Sequence, residues 1–475
     1  MSAIAPATTA AAAGEKLTPH ARLELLCDPG SFRPLRTGVA SARGKVEAGG
    51  DGVVVGAGTV GGRPVFCYAQ DPSFMGGSLG QAHADSIVGV MRMAAEAGAP
   101  VVGFVESGGA RLQEGHAALA GYGRIFRASV ELSERAPQIA IVTGASAGGG
   151  AYAPALADFI IMTEQARMFL TGPRIVEQAL GEQVSMERLG GRRVHERNGV
   201  CHMVCADEES AVTAARDLLA HLPQSVGGPR SEIAEPASPI DASPDASVPD
   251  EPRKVYDVRD VARAIVDASH LVELWPKWGQ NMVTAVARIE GRPVGIVANQ
   301  PRHLGGVIDA VASEKAALFV DMCSRFGLPL VVLVDTPGFM PGTQQEDAGV
   351  IRRGASLLRA FAAARVPRLT VVLRKAYGGA AITMNSKELG GDIVFAWSRA
   401  EVGIMAARQA VGIVHRREIA GAEDSEALHD ELAEGYAEEH LTAAAAAAAG
   451  FVDQVIEPGE TRDRLAWALH ALGGR

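Results

Sequence analysis

The tetrapeptide Gly-Arg-Pro-Val stands at residues 62–65 and again at 291–294, 229 positions apart. The same distance separates two Gly-Gly turns, FMGGSL and HLGGVI, whose pairs begin at Gly76 and Gly305. It also separates Pro100 from Pro329, which open the apolar runs of GAPVVGFVESGG and GLPLVVLVDTPG. Features of such different kinds at one offset mark an internal duplication, so the chain must fold as two copies of one design. Its 475 residues exceed one ordinary core and ask for two domains on independent grounds.

Each copy reads as a hairpin, a Gly-Gly turn, a helix, a buried strand, a second helix and a strand that enters a glycine turn. The helices are HADSIVGVMRMAAEAG and AALAGYGRIFRASVELSER in the first copy, SEKAALFVDMCSRFG and GVIRRGASLLRAFAAAR in the second. Strands alternating with helices over short turns mean an α/β fold, and the interposed hairpin argues against a doubly wound sheet. The boundary falls in QSVGGPRSEIAEPASPIDASPDASVPDEPRK, rich in Pro, Ser and acids without apolar periodicity. The expected organisation is a disordered Ala-rich tail at 1–15, a first domain at 16–223, a linker at 224–254 and a second domain at 255–475.

A net charge of -10 argues against nucleic acid or an anionic membrane as partner. No stretch carries enough uninterrupted apolar residues to span a bilayer, and the N-terminus lacks a basic leader, which points to the cytoplasm. Five scattered cysteines suit reduced thiols there. Cys201 and Cys205 in CHMVC have no second pair to complete a zinc site, and their flanks read as a buried strand, so no metal is expected.

Two short motifs invite other readings. Gly56-x-Gly58-x-x-Gly61 matches the dinucleotide fingerprint, but the strand-like RPVFCYAQD follows where a helix is required. GASAG at 144–148 matches the nucleophile elbow around Ser146, yet Ser146 falls opposite Ala376 in the second copy, and no motif selects a histidine partner. What recurs is the glycine pair, Gly148-Gly149 opposite Gly378-Gly379 at an offset of 230. Glycines between a strand and a helix leave backbone amides uncovered, able to hold a carbonyl oxygen as it turns negative. Two such turns suggest two carbonyl-bearing reactants that both pass through enolate-like states. Tight helix packing is the alternative explanation for the same glycines.

The longer segments resemble a known family. KLTPHARLELLCDPGSF, MGGSLGQAH, ESGGARLQEG and SAGGGAYAPALADFIIM carry the resemblance in the first half. SEKAALFVDMCSRFGLPLVVLVDTPGFMPGTQQE, GVIRRGASLL, RKAYGGAAITM and GFVDQVIEPGETRDRL carry it in the second. All are similar to the carboxyltransferase (beta) subunit of biotin-dependent acyl-CoA carboxylases of the acetyl-CoA and propionyl-CoA type. The resemblance implies two tandem crotonase-like domains of ββα-superhelix form, in agreement with the duplication, and a mechanism without a side-chain nucleophile.

It implies that biotin arrives on a partner chain, the biotin carboxylase/biotin carrier (alpha) subunit. The carboxyl group then passes to the α-carbon of a short acyl-CoA, making malonyl-CoA from acetyl-CoA or methylmalonyl-CoA from propionyl-CoA. On this resemblance Gly378, Gly379 and Ala380 bind biotin, with its oxygen at Gly379 and Ala380, while Gly148 and Gly149 hold the thioester enolate. Ser107, Gly108, Gly109, Ala110 and Arg111 are implied in the coenzyme A contact, and Ala381 and Ile382 in the floor of the acyl pocket. A homo-hexamer is implied, its sites at dimer interfaces between the first domain of one subunit and the second domain of another. The sequence has no Met-Lys-Met biotinylation site, ATP-binding segment or four-cysteine zinc ribbon.

Four positions depart from the family pattern: Ser356, where lysine is frequent, and Asp347, where an aromatic or histidine is common, have no physical explanation, while Ala381 and Ile382 bear on the acyl pocket. Propionyl-type members commonly have an acid where Ile382 stands and a tyrosine where Ala381 stands; the apolar Ile382 resembles acetyl-accepting members, while Ala381 leaves room for a longer acyl chain. The same motifs serve relatives that run the chemistry backward, in a decarboxylase or transcarboxylase. A Ser146 thioester hydrolase and a catalytically silent scaffold are the readings from other classes.

Overall fold

A computed structural model of the chain describes residues 16–40, 50–228, 234–239, 243–251, 254–268 and 271–473. The expected tail at 1–15 and parts of the expected linker lie outside the described residues. The chain divides into two compact units. One is Met1–His195 with Val200–Ala220 and Gln224–Val226; the other is Gly227–Arg475 with Glu196–Gly199 and His221–Pro223.

The first unit carries β1 (Arg33–Leu35), β2 (Val53–Val60), β3 (Arg63–Gln70), β4 (Val101–Ser107), β5 (Gln138–Ala147), β6 (Phe159–Thr163), β7 (Arg167–Phe169) and β8 (Met203–Cys205). They lie in the order β1-β2-β3-β4-β5-β6-β8, with β7 paired to β5. The second unit carries β9 (Val272–Leu274), β10 (Met282–Ile289), β11 (Arg292–Asn299), β12 (Leu330–Thr336), β13 (Arg368–Tyr377), β14 (Ile393–Trp397), β15 (Glu401–Gly403) and β16 (Gln454–Ile456). Their order is β9-β10-β11-β12-β13-β14-β16, with β15 paired to β13. The two sheets share one topology: antiparallel through the hairpin, then parallel from β3 to β4 and from β11 to β12 onward. The two units thus repeat one topology, as the duplication requires, in keeping with the two tandem crotonase-like domains that the resemblance implies.

The duplication reaches the backbone angles. Met75 and Leu304 both take positive φ, 50° and 52°, followed by Gly76 and Gly305 at 65° and 64°. The next glycines, Gly77 and Gly306, face the carbonyl oxygens of Glu106 and Asp335, which a Cβ would strike. Only glycine fits there, and the strand ends behind it are thereby fixed.

The central strands β4 and β12 are buried along their whole length, as parallel strands covered on both faces should be. Ala84, Ile87, Val88, Met91 and Ala94 recur at helical spacing along Gln81–Ala97 and share a core with Ile125, Ala128 and Leu132 of His116–Ser133. Gly56 and Gly58 of the dinucleotide-like motif lie inside β2. A Cβ on Gly58 would come within 2.6 Å of the Cys27 sulfur, so that glycine serves packing.

The C-terminal part of the expected linker packs on the second unit. Pro244–Ser247 makes a turn of 3-10 helix, Val248 is buried, and Arg374 donates to the carbonyls of Glu251 and Lys254. Among the described residues no helix is long and apolar enough to cross a membrane, and no cluster of three His, Cys, Asp or Glu side chains is placed to hold a metal.

Candidate active site at two glycine turns

In the first unit, β5 ends at Ala147 and the helix Gly149–Ala155 begins after a single turn residue, Gly148. Gly148 has φ 58° and ψ -124°, a conformation that a side chain opposes. Its amide donates to the carbonyl of Phe169 at the end of β7, 3.1 Å away. Gly149 and Gly150 then occupy the first helical turn, where amides have no intrahelical acceptor. A Cβ on Gly149 would lie 2.5 Å from the Tyr122 ring, so the aromatic side chain fixes this position as glycine.

Tyr122 also ties the turn to the neighbouring loop. Ser107 Oγ donates to the Gly77 carbonyl at 2.9 Å, which leaves it to accept from the Tyr122 hydroxyl at 3.1 Å and the Gly109 amide at 3.2 Å. The backbone of the loop is stitched to the Gly-Gly turn: Gly108 N–H donates to Gly76 O, Leu79 N–H to Gly109 O, and Arg111 N–H to Leu79 O. Of the segment expected at coenzyme A, Gly108 is exposed and Ala110 half-buried, while Ser107, Gly109 and Arg111 are buried.

Arg111 differs from the expectation. Its guanidinium bonds Asp51 Oδ1 at 2.5 Å, Glu114 Oε1 at 2.7 Å and the Ser78 carbonyl at 2.8 Å, with no side-chain surface left to solvent. Two carboxylates draw it inward, so it braces the loop and offers nothing to a ligand. Ser146 is also fully buried, and its hydroxyl donates to the Gly150 carbonyl at 2.8 Å. That geometry belongs to a structural serine.

The second unit repeats the turn. β13 ends at Tyr377, Gly378 has φ 59°, and the helix Gly378–Thr383 follows. By the offset of 230, Gly379 and Ala380 are the counterparts of Gly149 and Gly150. Of the expected first-unit pair, Gly148 and Gly149, the Gly148 amide is spent on Phe169, while Gly149 occupies the first turn with Gly150. Gly379 is exposed, and the nearest atom to a Cβ built on it, Phe339 Cε2, is 4.0 Å away. The space in front of it is open. Ala380, like Gly150, is buried.

Behind this turn lies a polar cluster. Asp335 accepts from Arg374 Nε at 3.1 Å and from the Tyr256 hydroxyl at 2.9 Å. Burial pushes the Asp335 carboxyl up, with Arg374 opposing. Tyr377 bonds Glu401 of β15, and burial followed by that contact raises its phenol well above the usual range. In the first unit Glu106 holds the place of Asp335 and pairs with Lys16 and Arg22. Sequence reasoning passed over these acids, although ESGG and DTPG put an acid at the same point of both copies.

The second turn opens into a cavity of about 820 Å³, lined near its mouth by Gly378, Gly379, Ala381, Ile382 and Ile404. Each unit therefore carries one strand-glycine-helix turn among the residues expected at the site.

Known proteins are similar to this chain over nearly its whole length. Residues 11–474 match the model of the carboxyl transferase domain. The chain is 46% identical to the methylmalonyl-CoA carboxyltransferase 12S subunit of Propionibacterium freudenreichii subsp. shermanii, over 96% of this chain and 88% of that one. It is 43% identical to the biotin-dependent acetyl-/propionyl-coenzyme A carboxylase beta5 subunit of Mycobacterium tuberculosis, over 96% and 87% of the two chains. A crystal structure of transcarboxylase 12S, a hexamer with methylmalonyl-coenzyme A bound, superposes with a TM-score of 0.91 at 44% identity, covering 97% of this chain and 90% of that one. Duplicated fold, paired glycine turns and near-complete coverage agree, and the chain belongs to the carboxyl transferase family.

Proposed function

We propose that the protein is the carboxyltransferase component of an acyl-CoA carboxylase, moving a carboxyl group from biotin on a partner chain to the α-carbon of a short acyl-CoA. The observation that carries this reading is the repetition of one strand-glycine-helix turn in both units, with φ of 58° and 59° at its first glycine. Neither copy brings a nucleophile, so the chemistry must rest on backbone amides.

The first turn, at Gly149 and Gly150, holds the thioester oxygen as the α-carbon gives up its proton. Each donor of this kind is worth about 3–4 kcal/mol when water is excluded. The open face at Gly379, with the first-turn amides of Gly379 and Ala380, fits a ureido oxygen of biotin. Biotin, when bound, supplies the carboxyl group and a basic nitrogen. The rest is placement: two reactants held within reach replace a bimolecular encounter.

Both turns sit beside exposed large apolar side chains. Tyr152 and Leu170 flank the first; Ile382, the counterpart of Tyr152, and Ile404, which follows β15 as Leu170 follows β7, flank the second. Apolar surface at both sites supports a homo-hexamer in which the first domain of one copy covers the second domain of another. Exposed Ile382 supports an apolar acyl floor and acetyl-CoA or propionyl-CoA as substrates, with the alpha subunit as biotin donor. Cytoplasmic placement belongs to the same proposal.

A second reading, the carboxyltransferase of a transcarboxylase or decarboxylase, is supported by the 46% identity to a methylmalonyl-CoA carboxyltransferase. Both readings predict that the purified protein decarboxylates methylmalonyl-CoA or malonyl-CoA only when free biotin is present. Turnover indifferent to biotin would remove both.

A further inference from the structure

We propose that Tyr377 and Glu401 are positioning residues for biotin at the second turn: their bond holds the edge of β15 in place beside Gly379. This rests on the carboxyltransfer reading and adds to it the side chains that set the seat of the ureido ring.

Only one of the two turns has this bond. Tyr377 stands where the first unit has Ala147, by the offset of 230. Glu401 opens β15 and pairs with Lys375, as Arg167 opens β7 and pairs with Ala145. Ala147 has no polar side chain, and Arg167 turns to the Gln165 carbonyl and to Glu187, 3.1 Å away. The first turn nevertheless reaches φ 58°, and the second 59°. A bond present at one of two equal turns is not what folds them. It answers to what the second turn holds and the first does not.

The bond fixes a short edge. β15 has three residues, ends at Gly403, and is held on its other side by the Val402 amide, which donates to Leu441 O at 2.8 Å. Ile404 follows at once. Its carbonyl oxygen lies 3.0 Å from the place of a Cβ on Gly378, so the edge rests on the turn itself, and its side chain is 74% exposed. Gly379, Gly403 and Ile404 line the same cavity. A ring whose oxygen meets the amides at Gly379 therefore has Ile404 for its neighbour. Burial and the carboxylate keep the proton on the Tyr377 phenol, so the donor is permanent. Bonds from a hydroxyl to a carboxylate are among the stronger ones, and this one anchors a strand too short to anchor itself.

The test is the reverse half-reaction of the purified protein on methylmalonyl-CoA, with free biotin and acyl-CoA varied separately. Tyr377→Phe keeps the ring and removes the hydroxyl; it should raise KM for biotin about tenfold and leave KM for methylmalonyl-CoA within about twofold. Glu401→Ala should do the same, and the double variant should be no worse than either alone. Glu401→Gln, whose amide oxygen still accepts from the phenol, should raise KM for biotin by less than Glu401→Ala. Equal changes in both KM values, or none, overturn the positioning role and leave the carboxyltransfer reading standing. Absence of biotin-dependent turnover in the unsubstituted protein overturns both. The nearly isosteric Tyr377→Phe and Glu401→Gln decide even where Glu401→Ala fails to fold.

Discussion

Gly148 and Gly378 hold the same backbone angle, φ 58° and 59°, at the same strand-to-helix turn of two duplicated units. Gly149 recurs as Gly379, while Ser146 becomes Ala376 and Gly150 becomes Ala380. A duplicated turn with changing side chains is what a backbone-amide site leaves behind. On the proposed function, catalysis lies in the main chain.

The Tyr122 ring occupies the space in which a Cβ at Gly149 would stand. Gly149→Ala should cost about 1–3 kcal/mol of stability through overpacking. In a Tyr122→Ala background the same substitution should cost clearly less, giving a coupling that a double-mutant cycle in urea reads directly. Additive costs would show that the ring does not hold the turn.

Arg111 is expected to matter for folding first. Removing it leaves Asp51 and Glu114 buried without their cation, a loss of about 3–5 kcal/mol. Arg111→Ala should lower the urea midpoint sharply. A protein of unchanged stability with a raised KM for acyl-CoA would return Arg111 to the coenzyme A contact.

Lys315 sets a pH dependence. Its ammonium is buried and donates to the carbonyls of Trp275 at 2.9 Å and Met282 at 2.6 Å. Burial pushes its pKa down to about 7 from the usual 10.5. Between those values the unfolded chain binds the extra proton, so stability rises with pH across about 7 to 10.5, with a slope approaching 1.4 kcal/mol per unit. Urea midpoints at pH 7 and 9 should separate in the unsubstituted protein and draw together in Lys315→Met. Equal separation in both would contradict this.

The fold was legible because a single offset linked turns, glycine pairs and apolar runs, and each kind of feature has its own physical cause. The glycine turns were legible for the same reason. The choice of amides was not, since the acceptor that occupies Gly148 comes from β7, three residues long and without a strand signature of its own. The inward turn of Arg111 was equally hidden, because Asp51 lies sixty positions away and nothing local announces the pairing. The C-terminal part of the linker looked free because its composition is polar, yet buried Val248 and the Arg374 bonds hold it down.

The most direct test sets Ser146→Ala against Gly378→Ala in biotin-dependent decarboxylation of methylmalonyl-CoA. The account predicts that Ser146→Ala keeps activity within about threefold, having lost one buried hydrogen bond. Gly378→Ala, forced to carry a Cβ at positive φ, should lose about 100-fold or more as the second turn's amides are displaced. Activity abolished by Ser146→Ala and retained by Gly378→Ala would contradict the account and restore the serine as nucleophile.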